Sequence, residues 1–172
     1  MQSTAYRKQR TENSLNAERY TLNAITLTAI HLMGKMCWEH YSHPADIGIR
    51  GIGQTKEQAF GQAALALTAI ITHLQKVVPE EAVEISCQEQ DDELLFASWL
   101  NALIYEMATR GMLFSRFEVN IRNHQLSAKA WGEKLNVKKH RPAVEVKAAT
   151  YSDLKVQQNK NGSWLVQCIV DV

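Results

Sequence analysis

Thr55-Lys56-Glu57-Gln58-Ala59-Phe60 opens the stretch whose reading decides the fold. The threonine oxygen can accept the backbone N–H three residues on, and Gln58 can reach back, which makes a capping box at a helix start. Ala59, Phe60, Ala63, Ala64, Leu67, Ile70, Ile71 and Leu74 then recur at the spacing of one buried helical face. The many small side chains on that face let the helix lie close to a sheet. Pro79 ends the connection that follows.

On the upstream side, residues 38–41 form a short strand candidate, and Ile47, Ile49 and Ile52 continue a second. Gly48, Gly51 and Gly53 interrupt that strand, which indicates a bulge or a close approach by another backbone. Downstream, Val83, Ile85 and Cys87 alternate with Glu84, Ser86 and Gln88 as a half-buried strand does. Asp91, Asp92 and Glu93 suit a helix N-terminus. The spacing predicts a helix over 94–110, with Leu95, Trp99, Leu103 and Met107 on one stripe and Gly111 just past its end. The remainder is β-rich. Phe117, Val119 and Ile121 alternate, Asn123-His124 is a turn, and 126–131 is the return strand, broken by Gly132-Glu133. Residues 144–154 and 164–170 read as strands joined by a turn at Asn159-Lys160-Asn161-Gly162. The absence of βαβα alternation argues against a doubly wound parallel sheet. The pattern predicts an α+β domain over 36–172, with two helices packed on mainly antiparallel β-sheet.

The 172-residue chain is 45% hydrophobic and 22% charged, ordinary values for a globular domain with a real core. A net charge of +1 gives no whole-molecule attraction to nucleic acid. Cys37, Cys87 and Cys168 are odd in number and widely spaced, which argues against a disulfide framework or a thiolate zinc site and fits a reducing, cytoplasmic setting. No run reaches the roughly 20 apolar residues of a membrane span.

Residues 1–35 differ in character from the rest. The first nineteen are polar and aperiodic, which predicts a flexible segment, and 16–33 fit one amphipathic helix. The apolar stretch 22–33 follows Arg7, Lys8, Arg10 and Arg19, but Asn23, Thr26, Thr28 and His31 make it a poor secretory signal. Met36 stands immediately before the first strand, so an over-long gene start is the favoured reading of this extension, with an added packing helix as the alternative.

Two carboxylates stand out by position. Asp46 lies in the loop His43-Pro44-Ala45-Asp46, just before a strand, and Asp171 lies beside the last residue, Val172. If the last strand docks beside that loop, both side chains and the terminal carboxylate meet. Such a cluster of oxygen donors calls for a hard divalent metal. Taken singly, Asp46 reads more simply as a turn cap and Asp171 as a solvated chain end. His43 could be a ligand, although a lone histidine beside a proline is more often structural. Lys138-Lys139-His140-Arg141 is a local basic run of the kind usually found on a solvated loop. No serine–histidine–aspartate order, phosphate-binding glycine loop or cysteine–histidine pair is present to suggest a catalytic residue.

Several motifs, in this order, resemble the archease family. They are His43-Pro44-Ala45-Asp46-Ile47-Gly48-Ile49, residues 53–60 and 63–67, Asp92-Glu93-Leu94-Leu95, Trp99-Leu100-Asn101, Gly111-Met112-Leu113-Phe114, Gly132-Glu133, His140, Glu145-Val146-Lys147-Ala148-Ala149-Thr150-Tyr151 and the final Asp171-Val172. The resemblance spans about 36–172. It implies a non-catalytic accessory protein of an RtcB-type RNA ligase, acting in tRNA splicing or RNA repair. Such a protein promotes ligase guanylylation and multiple turnover through transient contact, and meets RNA or GTP only indirectly. It implies a metal site at Asp46, Asp171 and Val172, occupied by calcium in family structures, with magnesium or manganese suited to the same donors. It also implies a functional role for Lys147. One departure is Pro44, where the family usually has threonine; proline removes a backbone donor from the loop. The alternative function for two carboxylates and a lysine is a metal-dependent phosphoesterase.

Overall fold

The computed structural model describes residues 36–42 and 46–172. The readings made above for 1–35 and for His43 and Pro44 lie outside these residues. The unit Met36–Val172 contains eight strands, two long α-helices, one short α-helix and a single 3-10 turn (Leu74–Lys76) among the described residues.

Helix α1 (Lys56–Ile71) starts where the capping box places it. Gln58 N–H donates to Thr55 Oγ1 at 3.3 Å. The Gln58 side chain reaches one residue further back than a standard box, accepting from Gln54 N–H at 2.9 Å. Helix α2 (Asp92–Arg110) is capped by Asp91, whose carboxylate accepts from Leu94 N–H at 2.8 Å. It ends at Gly111, whose φ of 60° is the left-handed conformation a C-terminal glycine supplies without a Cβ penalty.

Strands β1 (Cys37–Ser42), β2 (Ile47–Gly53) and β8 (Trp164–Asp171) form an antiparallel sheet in that order. Both β6 (Ala148–Ala149) and β7 (Lys155–Gln158) pair with the other edge of β8. A second antiparallel sheet has the order β3 (Glu81–Gln88), β5 (Gln125–Lys134), β4 (Met112–Arg122). Helix α1 touches β1, β2 and β8 of the first sheet and β4 of the second. The core lies between these layers, where Phe60, Phe96, Trp99 and Phe114 are fully buried. Phe60 and Phe96 meet edge to face at 5.0 Å, and Trp99 donates its indole N–H to Phe60 O at 3.3 Å.

The glycines of β2 resolve into one of the two readings. Their register with β1 and β8 runs without a bulge. A Cβ on Gly51 would instead lie 2.1 Å from Ala59 O and 2.5 Å from Ala63 N, so the glycine lets α1 lie directly on the strand.

Three local expectations are corrected. First, β5 is not broken at Gly132-Glu133 but continues to Lys134. Gly132 stands where the β4–β5 register shifts between Phe114 and Arg116, and a Cβ there would meet Leu113 O at 1.8 Å. Second, of residues 144–154 only Ala148–Ala149 is strand, while β7 begins at Lys155. Third, the basic run is not an open loop: Val137–His140 is a short helix, α3, and His140 is fully buried. Its Nδ1 accepts from Asn136 N–H at 2.9 Å, its Nε2 lies 3.3 Å from Glu133 Oε1, and its carbonyl accepts from Thr72 Oγ1 at 2.5 Å. His140 is therefore a strut between α3, β5 and the end of α1.

Candidate functional site

The ladder between β2 and β8 pairs Ile47 with Val170. Asp46 precedes Ile47 and Asp171 follows Val170. In an antiparallel pair, a step back on one strand faces a step forward on the other. The two carboxylates therefore occupy facing positions at one end of the sheet, and both residues are half-buried.

Facing like charges repel unless a cation intervenes. One cation, Lys147, stands beside Asp171. Its Nζ lies 3.7 Å from Asp171 Oδ1 and donates to the Val172 main-chain oxygen at 3.0 Å. The backbone fixes this approach, since Lys147 N–H donates to Asp171 O at 2.9 Å and Thr150 N–H donates to Ile169 O at 2.8 Å. The Lys147 and Asp171 side chains are 61% and 47% exposed, so water screens the pair and it adds little stability.

The remaining donors are all oxygen: the Asp46 and Asp171 carboxylates and the Val172 main-chain oxygen. That set fits a hard divalent ion whose shell is completed by water. Among the described residues, no group of three or more histidine, cysteine, aspartate and glutamate side chains converges on one point. His43 lies outside the described residues.

Other titratable groups are tied into the scaffold. Tyr41 donates its hydroxyl to Asp153 Oδ2 at 2.9 Å, and burial followed by that carboxylate pushes its pKa up. Burial pushes the Cys168 thiol up to about 12, so it is a core residue and not a nucleophile. His40 Nε2 lies 2.8 Å from Ala66 O.

One residue near the site was not read as functional from the sequence. Asn101 on α2 contacts Ala149 through both ends of its amide, at 3.0 Å each. Its sequence signals are its place in the motif Trp99-Leu100-Asn101 and an asparagine set mid-helix, where that residue type is a poor helix former.

The model of the Archease protein family (MTH1598/TM1083) matches residues 38–172. The chain belongs to the archease family. Protein archease of Pyrococcus abyssi is 42% identical over 139 residues, covering 78% of this chain and 98% of that protein. Protein archease of Sulfurisphaera tokodaii is 39% identical over 137 residues, with the same coverage of 78% and 98%. Among solved structures, the solution structure of Methanobacterium thermoautotrophicum protein 1598 superposes with a TM-score of 0.69 at 28% identity, covering 78% of this chain and 98% of its own. The archease family assignment thus rests on nearly the whole length of these relatives and on the same arrangement of helices over antiparallel sheets.

Proposed function

We propose that this archease-family chain is a non-catalytic activator of an RtcB-type RNA ligase, promoting guanylylation of the ligase and its return for further turnovers in tRNA splicing or RNA repair. Membership of the archease family over 38–172 carries this reading. The facing positions of Asp46 and Asp171, with Lys147 next to Asp171, support assigning the activity to this end of the sheet.

Asp46, Asp171 and the Val172 main-chain oxygen would hold a divalent ion, calcium by preference and magnesium or manganese by the same donor chemistry. Such an ion supplies positive charge to oxygen groups presented by a partner. Lys147 extends an exposed cation from the same strand end, fitted to meet a phosphate or carboxylate on the ligase. Asp171 and the Val172 main-chain oxygen keep that cation oriented at the sheet end. The contact raises ligase turnover only if the chain binds the GTP-accepting state better than the spent state; equal affinity for both would shift nothing. The cytoplasm is the compartment in which such a partner and three free cysteines coexist.

Asp46→Ala and Asp171→Ala each remove one donor from a half-exposed strand end and leave the buried core untouched. Both variants are expected to fold, and each to lower stimulation of multiple-turnover ligation at least tenfold. Unchanged stimulation by either folded variant contradicts the assignment of this surface.

A further inference from the structure

Lys147 depends on a very short element. Strand β6 is two residues long and lies along β8, with ladder pairs at Ala148–Asp171 and Ala149–Val170. Isolated strands of this length do not hold themselves in place. On its side away from β8, no strand among the described residues pairs with it. The Ala149 N–H and C=O are satisfied instead by a single side chain. Ala149 N–H donates to Asn101 Oδ1 at 3.0 Å, and Asn101 Nδ2 donates to Ala149 O at 3.0 Å. A neighbouring strand residue would exchange the same two bonds. The second Nδ2 proton goes to Ala97 O, one helical turn back, at 3.0 Å. That third bond fixes the amide's orientation, and the fully buried Leu100 and Leu103 beside it anchor this turn of α2 in the core.

We propose that Asn101 is a positioning residue: it acts as a one-residue strand that clamps Ala149 to α2 and thereby holds Lys147 beside Asp171 and Val172. The structural half of this inference stands on the three hydrogen bonds. Its functional half rests on the ligase-activator reading. The clamp explains how an exposed lysine on a minimal strand keeps one address. It also couples the acidic sheet end to the rigid helix.

The test uses the full-length, 15N-labelled chain and two variants. Asn101→Leu removes all three hydrogen bonds while keeping the same branching pattern of heavy atoms, in a somewhat larger side chain. Asn101→Asp keeps the shape and polarity but turns a carboxylate oxygen toward the Ala149 and Ala97 carbonyls, and guards against a failure of the leucine variant to fold. Amide hydrogen exchange at Lys147, Ala149 and Thr150 is expected to accelerate about tenfold in both, the equivalent of one or two ordinary hydrogen bonds. Amides inside α2, at Leu103 and Ile104, should stay within twofold of wild type. Ligase stimulation should fall about tenfold in parallel. Unchanged exchange at Ala149 overturns the clamp. Equal acceleration at Leu103 makes Asn101 a general core residue and overturns it too. A released strand with stimulation intact, against a wild type that stimulates, overturns the functional half. A wild type that does not stimulate the ligase sinks the activator reading, while the exchange rates still decide the clamp.

Discussion

Glu133 shows how much one side chain can organise. Its carboxylate accepts two hydrogen bonds from Lys139 Nζ, at 2.6 and 2.7 Å, and one from Val78 N–H at 2.6 Å. These bonds, with His140 behind them, hold its pKa down at about 2. A carboxyl depressed in the folded state contributes stability that is complete above its unfolded value, near 4.3, and is lost as the pH falls through about 2. Wild type is therefore expected to exceed Glu133→Gln in urea midpoint at pH 6, with the gap shrinking between pH 4.5 and 2. A gap that is constant over that window contradicts the assignment. From the sequence, Glu133 was a strand breaker and His140 a member of a basic loop. Neither reading had access to the contact that matters, because Lys139, Val78 and the end of α1 converge only after folding. Asp46 and Asp171 were legible as a pair for the opposite reason. Their positions at the ends of two hydrophobic strands already implied the facing geometry, given one pairing assumption.

At the scale of elements, legibility followed local signals. Helix α1 was readable because Thr55, Gln58 and the alanine-rich stripe agree with one another. Helix α2 was readable from Asp91 at one end and Gly111 at the other. The segment 144–154 was misread because Val144, Val146 and Ala148 alternate like a strand while their backbone has no continuous partner. Ala143 N–H donates to Ile71 O at 2.9 Å, so the segment enters pinned to α1, and it meets β8 for only two residues. The β4–β5 turn was placed correctly, and Asn123 and His124 both take positive φ, 50° and 56°, as a two-residue hairpin requires. The contact of α1 with β2 carries a direct consequence. Gly51→Ala would drive a methyl group into the α1 backbone and is expected to cost about 3 kcal/mol, the upper end for overpacking. Chemical denaturation measures this; a loss under about 0.5 kcal/mol would mean the helix does not lie on the strand as described.

Across the described residues, the buried core and the exposed charges of the sheet end are placed apart. The aromatic core and the α1–β2 contact hold the fold together, while Lys147 and Asp171 stand exposed at one end of a sheet. No helix of the described residues is long and apolar enough to cross a membrane. A half-exposed, weakly paired group of charges adds little to folding. The measurement that tests this most directly is RNA ligation by a cognate RtcB-type ligase with GTP and divalent metal, counted in product per ligase molecule, with and without this chain. The account predicts that product passes one equivalent of ligase when the chain is present and stalls near one equivalent when it is absent. Equal yields under both conditions, with an active ligase and a folded chain, would contradict it.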